Sequence, residues 1–184
     1  MTSINYILIG VGLLALWLAF TYNALVRMRL RAKEALSDID VQLKRRFDLI
    51  PNIVETVKGY AGHEKQVLEN VTKARADVAK NEGNPLEREG AENMLSNTLK
   101  TLFAVAENYP DLKANANFLD LQRELADTEN KIQASRRFFN TMVKDLNTKI
   151  QSFPANMAAK MLGFKEMEFF KTDDGEKDVV QVKF

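Results

Sequence analysis

From Met1 to Val26 the chain reads MTSINYILIGVGLLALWLAFTYNALV, and no side chain in that run is charged. No other feature restricts the fold so strongly. A bilayer's hydrocarbon core is about 30 Å thick, and a helix of about 20 apolar residues crosses it. Ile4–Phe20 with its flanks reaches that length. Trp17 and Tyr22 fall toward its C-terminal end, where amphipathic rings favour the membrane boundary. A cleaved signal peptide is the competing reading, but it calls for a basic leader and a small-residue cleavage site, and neither is evident. Residues 1–26 are therefore read as a retained anchor whose partner is the lipid bilayer. Arg27, Arg29, Arg31 and Lys33 follow at once, with nothing basic before the span. The positive-inside rule then places the short N-terminus outside and the body in the cytoplasm. A periplasmic body is the alternative, since long translocated domains override local charge.

Beyond Arg27 the pattern is helical with few interruptions. Leu36, Ile39, Leu43 and Phe47 recur at three- and four-residue spacing. Pro51 disfavours helix at Ile50 and lacks a backbone donor. With Asp48 as a cap it predicts one helix ending near Phe47 and another starting near Asp48, a single kinked helix being the alternative. The second helix, with Ile53, Val57, Tyr60, Val67 and Val71, runs to the break at Asn81–Pro85. A third carries Met94, Leu95, Leu99, Leu102 and Val105 and stops before Pro110. Asn115 caps a fourth, whose seam runs through Phe118, Leu121, Leu125, Thr128, Ile132, Ser135, Phe139, Met142 and Leu146 in a heptad-like, coiled-coil spacing. A short amphipathic segment follows Pro154, with Gly163 as its C-cap. Four such stripes can be buried only against one another. The expected fold is all-α: a transmembrane helix, an antiparallel four-helix up-and-down bundle over residues 27–164, and a tail over 165–184 with a short strand.

The 26 basic and 25 acidic residues nearly cancel, which argues against a dedicated nucleic-acid binder. With no cysteine there is no thiolate metal site, disulfide or cysteine nucleophile. His63 is the single histidine, so neither H-E-x-x-H nor paired E-x-x-H metal motifs can be assembled. No nucleophile elbow or phosphate-binding glycine loop is present. No cofactor, metal or catalytic residue is expected.

The polar residues near the seams are Arg45, Arg46, Asp48, His63 and Glu64 around the second helix, and Glu129 and Arg136 beside the fourth. They form a candidate structural polar network that fixes helix register. A ligand or proton site is the sharper alternative. Gly59 and Gly62 weaken a helix unless another helix approaches closely there or the turn is meant to flex. At the C-terminus, Val180, Val182 and Phe184 alternate with polar residues. Such an end can add as a strand to a partner's sheet or dock on its own domain or a sister subunit.

Several segments in order carry a family likeness: YNALV (Tyr22–Val26), QLKRRFDLIPNIVETVKGYAGHE (Gln42–Glu64), YPDLKANANFLDLQRELADTENKI (Tyr109–Ile132), FFN (Phe138–Asn140) and FPANMAAKMLGF (Phe153–Phe164). Taken together they resemble the LemA family over nearly the whole chain, with Phe139-Asn140 standing where members usually show Tyr-Asn. The resemblance implies one membrane helix with an outside N-terminus and a cytoplasmic, bromodomain-like helical bundle. It implies bacterial inner-membrane proteins without an established catalytic activity, one branch being tied to magnetosome membrane formation.

The expected function is a non-enzymatic, membrane-anchored scaffold that self-associates or holds a membrane-protein partner. The alternative is a bundle that binds a small ligand or lipid along the apolar seam near His63, Glu129 and Arg136, which requires a cavity lined by convergent polar groups.

Overall fold

The computed structural model describes residues 3–81 and 83–171. Its elements are all helical: α1 (Ser3–Tyr60), α2 (Lys65–Lys80), α3 (Glu89–Ala106), α4 (Pro110–Lys113), α5 (Ala116–Gln151) and α6 (Ala155–Met161). Val180, Val182 and Phe184, and with them the expected strand, lie outside the described residues.

Helix α1 has 58 residues. It corrects the expected boundary near Asp48. Helix runs unbroken through Pro51, and the turn comes later, at Ala61–Glu64. Proline leaves the carbonyl four residues back without its helical donor. That carbonyl belongs to Phe47, and the Arg75 Nε–H from α2 donates to it at 3.2 Å. The same guanidinium lies 3.8 Å from the centre of the Phe47 ring. Arg75 thus supplies the donor that Pro51 lacks and covers the adjacent ring with a cation–π contact. Asp48 caps nothing; it lies on the exposed side of α1 beside Lys44, at 3.1 Å.

The glycines mark the true corner. A Cβ on Gly59 would meet nothing within 4 Å, so no close helix approach requires glycine there. A Cβ on Gly62 would sit 3.2 Å from the Lys58 carbonyl, a tight fit in the turn that follows α1. Asn115 does cap α5: its Oδ1 accepts the Phe118 N–H at 2.9 Å. Gly163, at φ +73°, ends α6, with Phe164 N–H donating to the Ala159 carbonyl (2.9 Å) and Gly163 N–H to the Lys160 carbonyl (3.3 Å). That pair of bonds is the Schellman arrangement, which glycine favours because it adopts positive φ at no steric cost.

The described residues divide into two compact units, one of 3–37 with 136–169 and one of 38–135 with 170–171. In the second, Ile50, Ile53, Val57, Val71, Leu95, Leu99, Leu102, Leu112 and Phe118 form a continuous apolar core. Met94, placed on the expected stripe of α3, is instead 62% exposed, and Leu95 takes the core position. In the first unit Leu25, Leu146 and Ala159 form one buried cluster, with Met28, Ile150, Phe164 and Met167 packed against them, and Ala32, Phe139 and Val143 are also fully buried. Asn147 clips the extended chain after α6 onto α5. Its Nδ2 donates to the Met167 carbonyl (2.9 Å) and its Oδ1 accepts the Met167 N–H (3.0 Å).

Candidate functional site

The buried face of α1 within the second unit runs Ile39, Leu43, Arg46, Ile50, Ile53, Val57, alternating four- and three-residue steps. A cation therefore occupies a core position, and Arg46 is fully buried. On α3 the stripe is Glu92, Leu95, Leu99, Leu102, so a carboxylate occupies a core position there. The two meet: Arg46 Nη2 donates to Glu92 Oε2 and, at 3.2 Å, to the Glu92 carbonyl. Arg46 Nη1 donates to Glu129 Oε2 on α5 at 2.9 Å and to Ser96 Oγ. The Ser96 hydroxyl in turn donates to Glu129 Oε1 at 2.9 Å. One guanidinium joins α1, α3 and α5.

The chain of charges continues outward. Arg88 Nε lies 3.5 Å from Glu92 Oε1, and Arg88 Nη2 pairs with Asp40 back on α1. Side-chain exposure rises along it: 1% for Arg46, 2% for Glu92, 19% for Arg88 and 54% for Asp40. Charged groups of this kind lose several kcal/mol of hydration each on burial, and close multi-point pairing is what offsets the loss. The arrangement specifies which faces of three helices meet, because slipping any stripe by one residue would strand a buried charge.

The other expected network residues go elsewhere. Arg45 Nη2 pairs with Glu124 at 2.9 Å on the half-exposed surface. His63 is exposed in the α1–α2 turn. Glu64 opens α2 and accepts a 2.8 Å bond from the Tyr109 hydroxyl, which raises the phenol's pKa above its ordinary 10.0 through that hydrogen bond first, then burial and the carboxylate's charge. Arg136 is half-buried on α5 and belongs to the first unit. Of the seven, Arg46 and Glu129 are brought into direct contact. Glu92, Ser96, Arg88 and Arg75 were not anticipated from the sequence. Glu92 and Arg46 were detectable there, each being a charge in register with an apolar stripe.

A groove of about 360 Å³ opens beside the charge chain, lined by Leu43, Phe47, Val78, Arg88 and Glu92 among others. His63, Glu129 and Arg136 are not among its lining residues. Its charged groups Arg88 and Glu92 are already paired. Among the described residues, no cluster of three or more His, Asp or Glu side chains is placed to hold a metal ion.

Upstream, Ile4–Leu16 are exposed on every side, although apolar, and the helix that carries them, α1, is long and apolar enough at its N-terminal end to cross a membrane.

Comparison with known proteins matches residues 35–184 to the LemA family. The chain is 25% identical over 178 residues to the magnetosome protein MamQ of Magnetospirillum gryphiswaldense, covering 83% of this chain and 65% of that protein. The chain thus spans just under two thirds of that relative's length. It is 27% identical over 158 residues to Protein LemA of Metamycoplasma hominis, covering 84% of this chain and 71% of the relative. It is 24% identical over 179 residues to the magnetosome protein MamQ 2 of Paramagnetospirillum magneticum, covering 84% and 66%. The matched region contains Arg46, Glu92 and Glu129, and it extends over most of the sequence: the chain belongs to the LemA family.

Proposed function

We infer that this LemA-family chain is a non-enzymatic, membrane-anchored scaffold whose helical body sits at the cytoplasmic face of a bacterial inner membrane. The body is an antiparallel four-helix bundle of α2, α3, α5 and the second half of α1. One observation carries the reading. The same uninterrupted helix α1 bears an exposed apolar stretch at Ile4–Leu16 and, further on, the core face holding Arg46. The element that enters the bilayer is thus also a structural member of the body. The strongest buried charges are consumed in holding helices together, which suits a holder of partners rather than a catalyst. Kinship with magnetosome proteins agrees with a role at a membrane.

The arginines Arg27, Arg29 and Arg31 set the orientation. The scaffold role is tested by cross-linking in cells, followed by native mass measurement of the protein in lipid nanodiscs. A defined oligomer or a reproducible membrane-protein partner is the expected result. A monodisperse monomer with no cross-linked partner rejects it. Orientation is tested with a membrane-impermeant thiol reagent on Ser37→Cys in intact spheroplasts, possible because the chain has no native cysteine. Labelling only after lysis is expected; labelling of intact cells moves the body to the periplasm.

A further inference from the structure

Among the described residues, the first unit presents an exposed apolar surface. Helix α6 turns Ala155, Ala158 and Ala159 inward, each at most 4% exposed. The opposite side carries Met157 and Met161, spaced four apart and so aligned on one face, 66% and 68% exposed; Phe153, in the turn that precedes α6, is 81% exposed. Leu162, the C-cap residue, is 39% exposed. Lys160 lies exposed between Met157 and Met161.

The position of this face along α1 shows what can cover it. Phe164, just past α6, meets Tyr22 edge-on at 5.9 Å between ring centres. Ala159 packs in one cluster with Leu25. Helix α6 is therefore held at the level where the uncharged stretch ends, one turn before Arg27, Arg29 and Arg31.

Length sharpens the point. The part of the stretch exposed on every side, Ile4–Leu16, spans only about 20 Å at 1.5 Å per residue. A bilayer's hydrocarbon core is about 30 Å thick. Burial within the protein begins at Trp17 and Leu18 and reaches 7% exposure at Thr21. Filling the remaining thickness immerses α1 to the neighbourhood of Tyr22, and whatever packs there goes in with it.

We propose that α6 is an interfacial membrane element: Phe153, Met157 and Met161 insert into the headgroup–acyl boundary of the same bilayer that α1 crosses, while Lys160 and the arginines after Val26 face anionic headgroups. Methionine and phenylalanine bury well in this boundary, and a lysine stem lies along apolar surface with its ammonium in the headgroups. The proposal rests on the reading of Ile4–Val26 as a membrane span. A second copy of the chain is the competing occupant, and the test separates the two.

Single cysteines are introduced into the full chain as Met157→Cys, Met161→Cys, Leu14→Cys and Lys73→Cys, spin-labelled, and reconstituted into vesicles of phosphatidylcholine with phosphatidylglycerol. Collision rates with oxygen, which concentrates in lipid, and with a water-soluble nickel chelate are compared. Circular dichroism confirms unchanged helicity. Labels at positions 157 and 161 are expected to show oxygen collisions raised and nickel collisions lowered several-fold against the label at 73, with the label at 14 deeper still. Nickel access at 157 and 161 equal to that at 73, with 14 still deep, overturns the α6 proposal and leaves the span intact. Loss of both oxygen and nickel access at 157 and 161 overturns it in favour of a protein contact. Free nickel access at 14 overturns the span itself, and the α6 proposal falls with it.

Discussion

The two compact units solve the problem of holding helices together by opposite means. The second has a large apolar core and places a charged arginine, with two carboxylates, among its leucines. The first buries Leu25, Phe139, Val143 and Leu146 and uses a neutral amide, Asn147, to fasten an extended segment. It also leaves large apolar side chains uncovered on α6 and on the start of α1. A unit that can afford to bury ions is one whose apolar burial is ample, since each buried Leu, Ile or Phe side chain contributes about 1.5–3 kcal/mol. A unit with exposed apolar faces instead depends on what surrounds it.

The contrast can be broken most severely at Arg46. Arg46→Met strands the Glu92 carboxylate in the core and is expected to cost about 3–5 kcal/mol. Thermal unfolding in detergent, followed by circular dichroism, measures it. The triple change Arg46→Met, Glu92→Met, Glu129→Gln is expected to recover most of the loss, since apolar replacement of a whole buried ion cluster is often neutral or better. If the triple variant is as unstable as the single one, the guanidinium acts through packing and not through charge.

Next comes the repair at Pro51. Arg75→Ala leaves the Phe47 carbonyl without its donor, at an expected cost of about 1–3 kcal/mol. Pro51→Ala restores a backbone donor to that carbonyl, so the double variant should be less damaged than Arg75→Ala in its own right. Additive losses in that cycle would separate Arg75 from the proline.

In the first unit, Asn147→Ala removes both bonds to Met167 and is expected to destabilise by about 1–3 kcal/mol. Hydrogen exchange should report faster exchange at Met167 and its neighbours while the amides of α3 stay protected. A uniform increase throughout the chain would mean that the clip supports the whole fold.

A smaller effect lies at Tyr109. Its raised pKa means that the fold prefers the neutral phenol. The stabilising contribution is present below about pH 10 and is lost as pH rises through the folded-state value. The tyrosinate absorbance missing in Tyr109→Phe should titrate above that of free tyrosine, and Glu64→Gln should lower it. The smallest effect is expected at Arg45: Arg45→Ala breaks a half-exposed pair with Glu124 and should change stability by less than about 1 kcal/mol.

Much of this contrast was legible in the residues. The caps at Asn115 and Gly163 follow from local chemistry, and both form. The apolar seam of α5 is buried or half-buried from Phe118 to Leu146, because a stripe of that length has one way to leave water. The pairing of Arg46 was half legible: it was expected in a polar network with Glu129, but the stripe read on its helix ran through Phe47, and its main partner, Glu92, lies on a helix read only for its apolar residues. Pro51 misled because the rule it obeys is local, whereas the donor that overrides it sits 24 positions away in the sequence, on another helix. Met94 and Leu95 are neighbours, and a helical period alone does not decide which of two adjacent apolar residues faces the core.

The sequence by itself determined that the described residues are helical and that the N-terminal segment is apolar and fit to cross a membrane, because charge absence, helical periodicity and capping act over one or a few turns. Its motifs in order also determined the family. The tertiary structure alone decided where α1 ends, which carboxylates neutralise Arg46, and that α6 is tied beside Tyr22 with its apolar face outward. Each of these depends on a contact between residues distant in the chain, and no local preference carries that information.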